Sequence, residues 1–157
     1  MNVVGIDPGL SGAFAWLDDD GNLLDVQDMP IRGEGKQRRV DGLAVANLMA
    51  DRYGDSSTVV TELVHSMPAQ GVASTFKFGQ SYGVVLAVGD IYSDDKIDVR
   101  PQAWKKHFGL IGKDKDAARL LVLDKFPKQA EWFLRKKDQG RADATLVALW
   151  AIEHINT

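Results

Sequence analysis

The chain has 157 residues, 45% hydrophobic and 26% charged, with 19 Lys and Arg against 22 Asp and Glu, a formal net charge of −3. That length and balance fit one globular domain (1–157) with a real core, and weigh against indiscriminate nucleic-acid binding, although phosphate contacts depend on local charge. There is no cysteine, which excludes a disulfide scaffold, a thiolate zinc site and a cysteine nucleophile; no run approaches the roughly 18 apolar residues of a membrane span, and no leader pattern opens the chain, so a cytoplasmic setting is expected.

The chain opens Asn2-Val3-Val4-Gly5-Ile6-Asp7-Pro8-Gly9. Val3, Val4 and Ile6 are β-branched and predict a short buried strand, which Pro8-Gly9 ends. Asp7 then sits at the strand's C-terminal lip. A buried carboxylate needs a cation or several donors. A divalent metal and the N–H groups of the turn at 8–12 both qualify. Residues 12–17, a turn at 18–22 and residues 23–26 predict a hairpin.

A buried strand ending in Asp-x-Gly before a Gly-rich hairpin points to two superfamilies. In the RNase H-like nucleases that Asp holds metal. In the actin/Hsp70-like ATPases it stands near phosphates, but those proteins need two such domains, more than this length supplies.

Residues 29–39 read as a mobile loop. Arg32, Lys36, Arg38 and Arg39 make it either an ordinary solvated loop or a phosphate-contacting flap. Residues 41–53 have helical spacing with Asp41 as a cap, and 54–57 a turn. Residues 58–64 are strongly β-forming. Strand alternation puts Glu62 on the face of Val60. Adjacent strands lie about 4.8 Å apart, so Asp7 and Glu62 could converge on one cation; the alternative is a Glu on an exposed sheet face.

A loop with His65 and Met67 follows. Residues 72–89 predict a long helix rich in small residues, suited to a core or a dimer face, with core packing favoured for the helix and for Phe76 and Phe78; stacking on bases is the alternative. A short strand at 97–100 leads through Pro101 to a helix, then a turn at 109–112 and a second helix at 117–125, stopped by Phe126-Pro127. Arg100, Lys105, Lys106, Lys113 and Lys115 crowd these two helix starts, as a phosphate site or as a solvated face. Residues 135–141 are basic and polar. Residues 142–152 predict an apolar helix with Asp143 in its first turn, where an acid can cap or bind. Asp138 falls in the preceding loop, off the face of Asp143.

The order strand–Asp7, strand–Glu62, late helix–Asp143 resembles the acidic constellation of the RNase H-like superfamily. More narrowly it resembles the RuvC family of Holliday-junction resolvases, including short phage-type members. Gly5-Ile6-Asp7-Pro8-Gly9 resembles the family's opening motif. Thr61-Glu62 with Phe78-Gly79-Gln80-Ser81-Tyr82-Gly83 resembles the second, Arg100-Pro101-Gln102-Ala103-Trp104-Lys105-Lys106 the basic segment, and Gly140-Arg141-Ala142-Asp143-Ala144 the C-terminal acidic helix. The sequence departs from the family in two places. Gly140 stands three before Asp143, where a carboxylate is usual, and His65 or Met67 stands where an aromatic is usual.

The resemblance implies an α/β fold, RNase H-like, with a mixed central sheet of antiparallel hairpin strands plus parallel strands, flanked by helices. It implies a metal-dependent endonuclease that resolves branched DNA by symmetric phosphodiester hydrolysis, working as a homodimer. Asp7, Glu62, Asp143 and, as a fourth ligand, Asp138 would hold two Mg²⁺ ions, with Mn²⁺ able to substitute. Lys105, Lys106 or Lys113 would hold or neutralise the phosphate, with Lys105 counted among the catalytic residues. DNA contacts would come from Arg32, Lys36, Arg38, Arg39, His65, Met67, Arg100, Lys105, Lys106, Lys113, Lys115 and Arg141. The alternatives are the same fold cutting flaps or RNA–DNA hybrid, and a non-catalytic nucleic-acid-binding module, which the presence of all three acids disfavours.

Overall fold

The computed structural model describes residues 2–52, 57–65 and 68–155. Most of the turn expected at 54–57 and the candidate Met67 lie outside these residues. The extended runs form β1 (Asn2–Asp7), β2 (Ala13–Asp18), β3 (Leu23–Asp28), β6 (Ser57–Glu62) and β7 (Asp95–Val99), in one sheet of order β3-β2-β1-β6-β7. The hairpin strands run antiparallel to β1, whereas β6 and β7 extend the sheet in parallel. This is the mixed sheet expected. In the hairpin turn Gly21 takes φ +82°. The Asp18 carboxylate accepts from the N–H groups of Asp20 and Asn22 at 3.1 and 2.8 Å.

Both faces of the sheet are covered, and strand alternation decides which side chain goes where. Val4, Ile6 and Val59 face α1 (Gly42–Arg52) and α2 (Val72–Ile91), packing with Val45, Met49, Val85 and Val88. Val3, Val60 and Val99 face the other way. There they meet Trp104 of α3 (Pro101–His107), Val122 of α4 (Ala117–Lys125) and the inner face of α5 (Gln139–Ile155).

Helix α5 lies directly on β1 because Gly5 has no side chain. A Cβ there would stand 2.1 Å from the Ala144 carbonyl oxygen and 2.7 Å from the Ala148 nitrogen. Ala142, Ala144, Ala148 and Ala151, all buried, keep the helix side of this contact equally thin.

Several local expectations change. Residues 29–39 are not a plain loop. They hold a small ribbon, β4 (Ile31–Arg32) paired with β5 (Arg39–Val40), around a 3-10 turn at Gly35–Gln37. Gly33 allows the reversal with φ +81°, and a Cβ there would meet the Gln37 carbonyl at 2.6 Å. Helix α1 starts where Asp41 caps it, its Oδ1 accepting from the Ala44 N–H at 3.1 Å. Phe76 does not pack in the core but is 72% exposed; Phe78 is half-buried. Helix α5 starts at Gln139 and not at 142. The Asp138 carboxylate accepts from the Arg135 backbone N–H at 2.8 Å, closing the preceding turn and launching the helix early. Asp143 therefore sits one turn in and is not a cap.

Gly5→Ala should destabilise the protein by about 1–3 kcal/mol through overpacking against α5. Urea denaturation checks this. A variant as stable as the wild type would show that the β1–α5 contact is looser than described.

Candidate active site

Three acids reach one end of the sheet by separate routes. In β1, residues 3, 5 and 7 share a face; in β6, so do 60 and 62. Both faces look toward α5. The parallel register pairs Ile6 with Thr61, which brings Asp7 and Glu62 level on neighbouring strands. Asp143 is presented to the same place by α5, which Gly5 admits. Glu62 is buried, and Asp7 and Asp143 are half-buried at the rim.

Each acid raises the others' cost of ionisation. Burial, then the charge of Asp7, pushes Glu62 up to about 7, against the pull of Lys105 and of the Trp104 indole N–H. Burial, then Asp7 and Glu62, pushes Asp143 up to about 7, with Lys105 opposing. Burial also raises Asp7, opposed by the Gly9 N–H, 3.3 Å from its Oδ1, and by Lys105. Asp7 thus receives a turn N–H as well as facing the other acids. Lys105 is the cation that all three feel, and its Nζ lies over the Trp104 ring, 5.2 Å from the centroid.

Two grooves meet at Asp143. One is lined by Asp7, Gly9, Ser11, Gly12, Lys137, Gln139 and Gly140. The other carries Lys105, Lys113 and Lys115 with Trp104 and Gln139. Lys113 and Lys115 therefore line the groove that reaches Asp143, while Lys106 is exposed nearby. Lys137 and Gln139 were missed in the sequence. Both lie in the basic run 135–141, which marked them only as a group.

Asp138 is differently employed. Its buried carboxylate binds Arg135 through Nη2 at 2.6 Å and Nε at 2.9 Å. Burial pulls its pKa up, but the Arg135 bonds and the Arg141 charge more than reverse this. It lines neither groove. Arg141, a candidate DNA contact, is engaged within the fold, donating to both Asp28 oxygens at 2.7 and 2.9 Å and to the Trp132 carbonyl at 3.1 Å. Gly140 has a steric reason: a Cβ there would stand 2.2 Å from the Ser11 carbonyl oxygen. No side chain fits three residues before Asp143.

The remaining basic candidates lie elsewhere on the surface. Arg32, Lys36, Arg38 and Arg39 are exposed on the β4–β5 ribbon, with Arg32 and Arg39 beside Gln80 and Ser81 of α2. His65 and Arg100 are exposed just beyond Glu62; His65 edges an apolar pocket with Leu63, Val64, Phe78 and Pro101.

The donor set suits a hard divalent cation: carboxylate oxygens only, desolvated and mutually repelling. Among the described residues, the acids whose oxygens all come within 4.8 Å of one another are a different group, Asp18, Asp19 and Asp20 in the β2–β3 turn. Asp18 there is already engaged by Asn22, whose Nδ2 donates at 2.9 Å.

No family model matches the sequence. The chloroplastic Holliday junction resolvase MOC1 of Chlamydomonas reinhardtii is 48% identical over 154 aligned residues. The alignment covers 81% of this chain but 17% of that protein, so the chain spans about a sixth of its relative's length. Thermus thermophilus RuvC in complex with Holliday junction substrate superposes with a TM-score of 0.68 at 17% identity, covering 99% of this chain and 96% of that one. The chain has the RuvC fold. A second Thermus RuvC structure gives a TM-score of 0.59 at 18% identity over 99% of this chain and 96% of that one. The yeast mitochondrial Holliday junction resolvase Ydc2 gives 0.56 at 14% identity over 97% and 80%. The RuvC likeness thus extends the sequence resemblance to the fold across nearly the whole chain.

Glu62 and Asp143 keep their protons in the fold to about pH 7, against 4.5 and 3.8 as free groups. Their protonation favours the folded state; that contribution is complete below the unfolded pKa values and is lost as pH rises to 7. Asp28 and Asp138, held low, act in the opposite sense but in a more acidic window. In EDTA, the melting temperature should therefore fall between about pH 5 and pH 8, and Asp143→Asn should flatten the fall. A melting temperature that rises over this range in calorimetry would contradict the burial of these acids.

Proposed function

We propose that this chain is a divalent-metal-dependent endonuclease that cuts four-way DNA junctions. The observation that carries the reading is the meeting of Asp7, Glu62 and Asp143 beside Lys105 in a RuvC fold. The names of MOC1, RuvC and Ydc2, each attached to Holliday junctions, support the substrate.

Asp7, Glu62 and Asp143 would hold the metal, Mg²⁺ by donor type, with Mn²⁺ as substitute and two ions per site. Asp7 would be central to the ligand set, since its charge acts on both other acids. When bound, such ions lower the pKa of a water nucleophile and neutralise the leaving oxygen. The chain's own part is to place the scissile phosphate. Lys105 offsets charge next to the acids, and Lys113 and Lys115 extend positive charge along the groove, where phosphate oxygens bind. Lys137 lies on the opposite groove and can hold the strand from the other side. The exposed β4–β5 arginines and the His65 edge would contact the arms of a branched substrate. Asp138 serves by launching α5 at the right residue.

The partner is a second copy of this chain, giving two sites for a two-fold symmetric junction. Helix α2 supports this. Val72, Phe76, Gly79, Gly83 and Ala87 recur every three or four residues and are all exposed, whereas Ser81, Val85, Val88 and Gly89 face the core. A Cβ on Gly79 or Gly83 would meet nothing, so this outer stripe can admit another helix closely. The segment is read as one nuclease unit acting inside the cell, where recombining DNA lies. Among the described residues no helix is long and apolar enough to cross a membrane.

The direct test is cleavage of a labelled four-way junction beside linear duplex, a flap and an RNA–DNA hybrid, with Mg²⁺, Mn²⁺ or EDTA. Paired symmetric nicks confined to the junction are expected. Equal cutting of flap or hybrid would move the protein to the broader nuclease reading, and binding without cutting to a non-catalytic module. Asp7→Asn should abolish cleavage while junction binding is kept or tightened, because one repelling charge is gone; cleavage retained in that variant would defeat the metal-site assignment. In sedimentation at micromolar concentration the wild type should be dimeric and Phe76→Glu monomeric, with an unchanged circular-dichroism spectrum because Phe76 is outside the core. A wild-type monomer, even with junction bound, would remove α2 as the interface.

A further inference from the structure

Trp104 is the largest fully buried side chain, 0% exposed, between the sheet and α5. Core packing accounts for its rings but not for its nitrogen. Nε1 is buried and has no hydrogen-bond partner of normal geometry. Leaving such a donor unmade costs free energy, and buried donors in native proteins are nearly always paired. The acceptor nearest in effect is the Glu62 carboxyl, which feels the Trp104 N–H as a donor although the full bond is not made. The same indole carries Lys105 over its face and lines the groove shared with Asp143. One residue thus touches the environment of an acid, the lysine and the groove wall.

We propose that Trp104 is a positioning residue whose indole N–H bonds the Glu62 carboxylate when that carboxylate binds a divalent cation, fixing the direction of its free oxygen. This rests on the metal-centre reading above. The logic is general for metal sites: ligating carboxylates are themselves hydrogen-bonded, and the outer partner sets their orientation. Here no polar side chain is needed, because the donor sits on the residue that also fills the core. Phe in its place would fill most of the space and keep a ring under Lys105, but could not hold Glu62.

The test uses the full chain without DNA. Mn²⁺ binding is measured by titration calorimetry for the wild type, Trp104→Phe, and a variant carrying benzothienylalanine at 104, which replaces only the N–H by sulfur. Affinity should fall about tenfold in both variants, the lower end of the effect of losing an outer partner. The melting temperature of the benzothienylalanine protein should stay at the wild-type value. In the wild type, the ¹⁵N-indole resonance lost in Trp104→Phe should shift on adding Mg²⁺, which a packing role would not cause. In a Glu62→Gln background, Trp104→Phe should cost nothing further.

Wild-type Mn²⁺ affinity in the benzothienylalanine protein would overturn the inference and leave the metal centre standing. A full tenfold loss in the Glu62→Gln background would also overturn it, placing the effect elsewhere. If the wild type itself binds no Mn²⁺, the metal-centre reading and the inference fall together.

Discussion

The close approach of α5 to β1 at Gly5 is the constraint on which the site depends. The helix must carry Asp143 to within electrostatic range of Asp7, and it can do so only if nothing stands between helix and strand backbones. Gly5 removes the side chain on one side, and buried alanines thin the other. The same closeness recurs one turn earlier, where Gly140 lies against the Ser11 carbonyl. The turn after β1 therefore abuts the start of α5 and fixes the helix along its axis, while Gly5 fixes its height above the sheet. A helix placed by two backbone contacts delivers its acid more reproducibly than one placed by flexible side chains.

That arrangement costs stability. Three acids are desolvated together, and two of them titrate near neutrality. Ion pairs tie together the elements around the site: Asp138 with Arg135, Asp28 with Arg141, and Asp116 with Arg119 at 2.6 Å. Arg119 also donates to the Phe133 carbonyl at 2.9 Å. These pairs stitch α4, the 3-10 segment Pro127–Phe133 and the start of α5 to β3. They brace the region in which the repelling acids meet. Active sites commonly sit where the rest of the structure over-determines a costly arrangement.

Much of this was legible in the sequence because it followed from short-range rules. Period-two alternation placed Glu62 with Val60, and Pro8-Gly9 marked where β1 must stop and left Asp7 at its lip. The α4 boundaries and Pro101 at the head of α3 followed from ordinary start and stop chemistry. The start of α5 was misplaced because Gly140 reads as a turn residue in isolation. Its absent side chain answers to Ser11, 129 positions away in sequence, which no local pattern encodes. Asp138 looked like a spare ligand for the same reason: its partner Arg135 is near in sequence, but the burial that commits the pair is tertiary. Phe76 was assigned to the core because an apolar residue on an apolar helix has no mark telling an inner face from an outer one.

The acidic net charge, at first an argument against a DNA-binding protein, loses force once the charges are located. Asp7, Glu62 and Asp143 face one another at one end of the sheet, where their charges act on each other and on Lys105. Asp28, Asp116 and Asp138 are consumed by arginines within the fold, and Asp25 by Arg52 at 2.7 Å. Meanwhile Lys113 and Lys115 stand exposed along the acid groove, and Arg32, Lys36, Arg38 and Arg39 on a ribbon. Phosphate contacts form over distances of about one Debye length or less, near 10 Å, so a polyanion responds to these local groups and not to the sum. Arginine does the internal pairing on the α5 side, where its fork binds a carboxylate through two nitrogens. Lysine, a point charge on a mobile stem, is left for the groove. Under the proposed function the division has a use: the rigid pairs would hold the acids in place, and the mobile cations would follow a phosphate backbone.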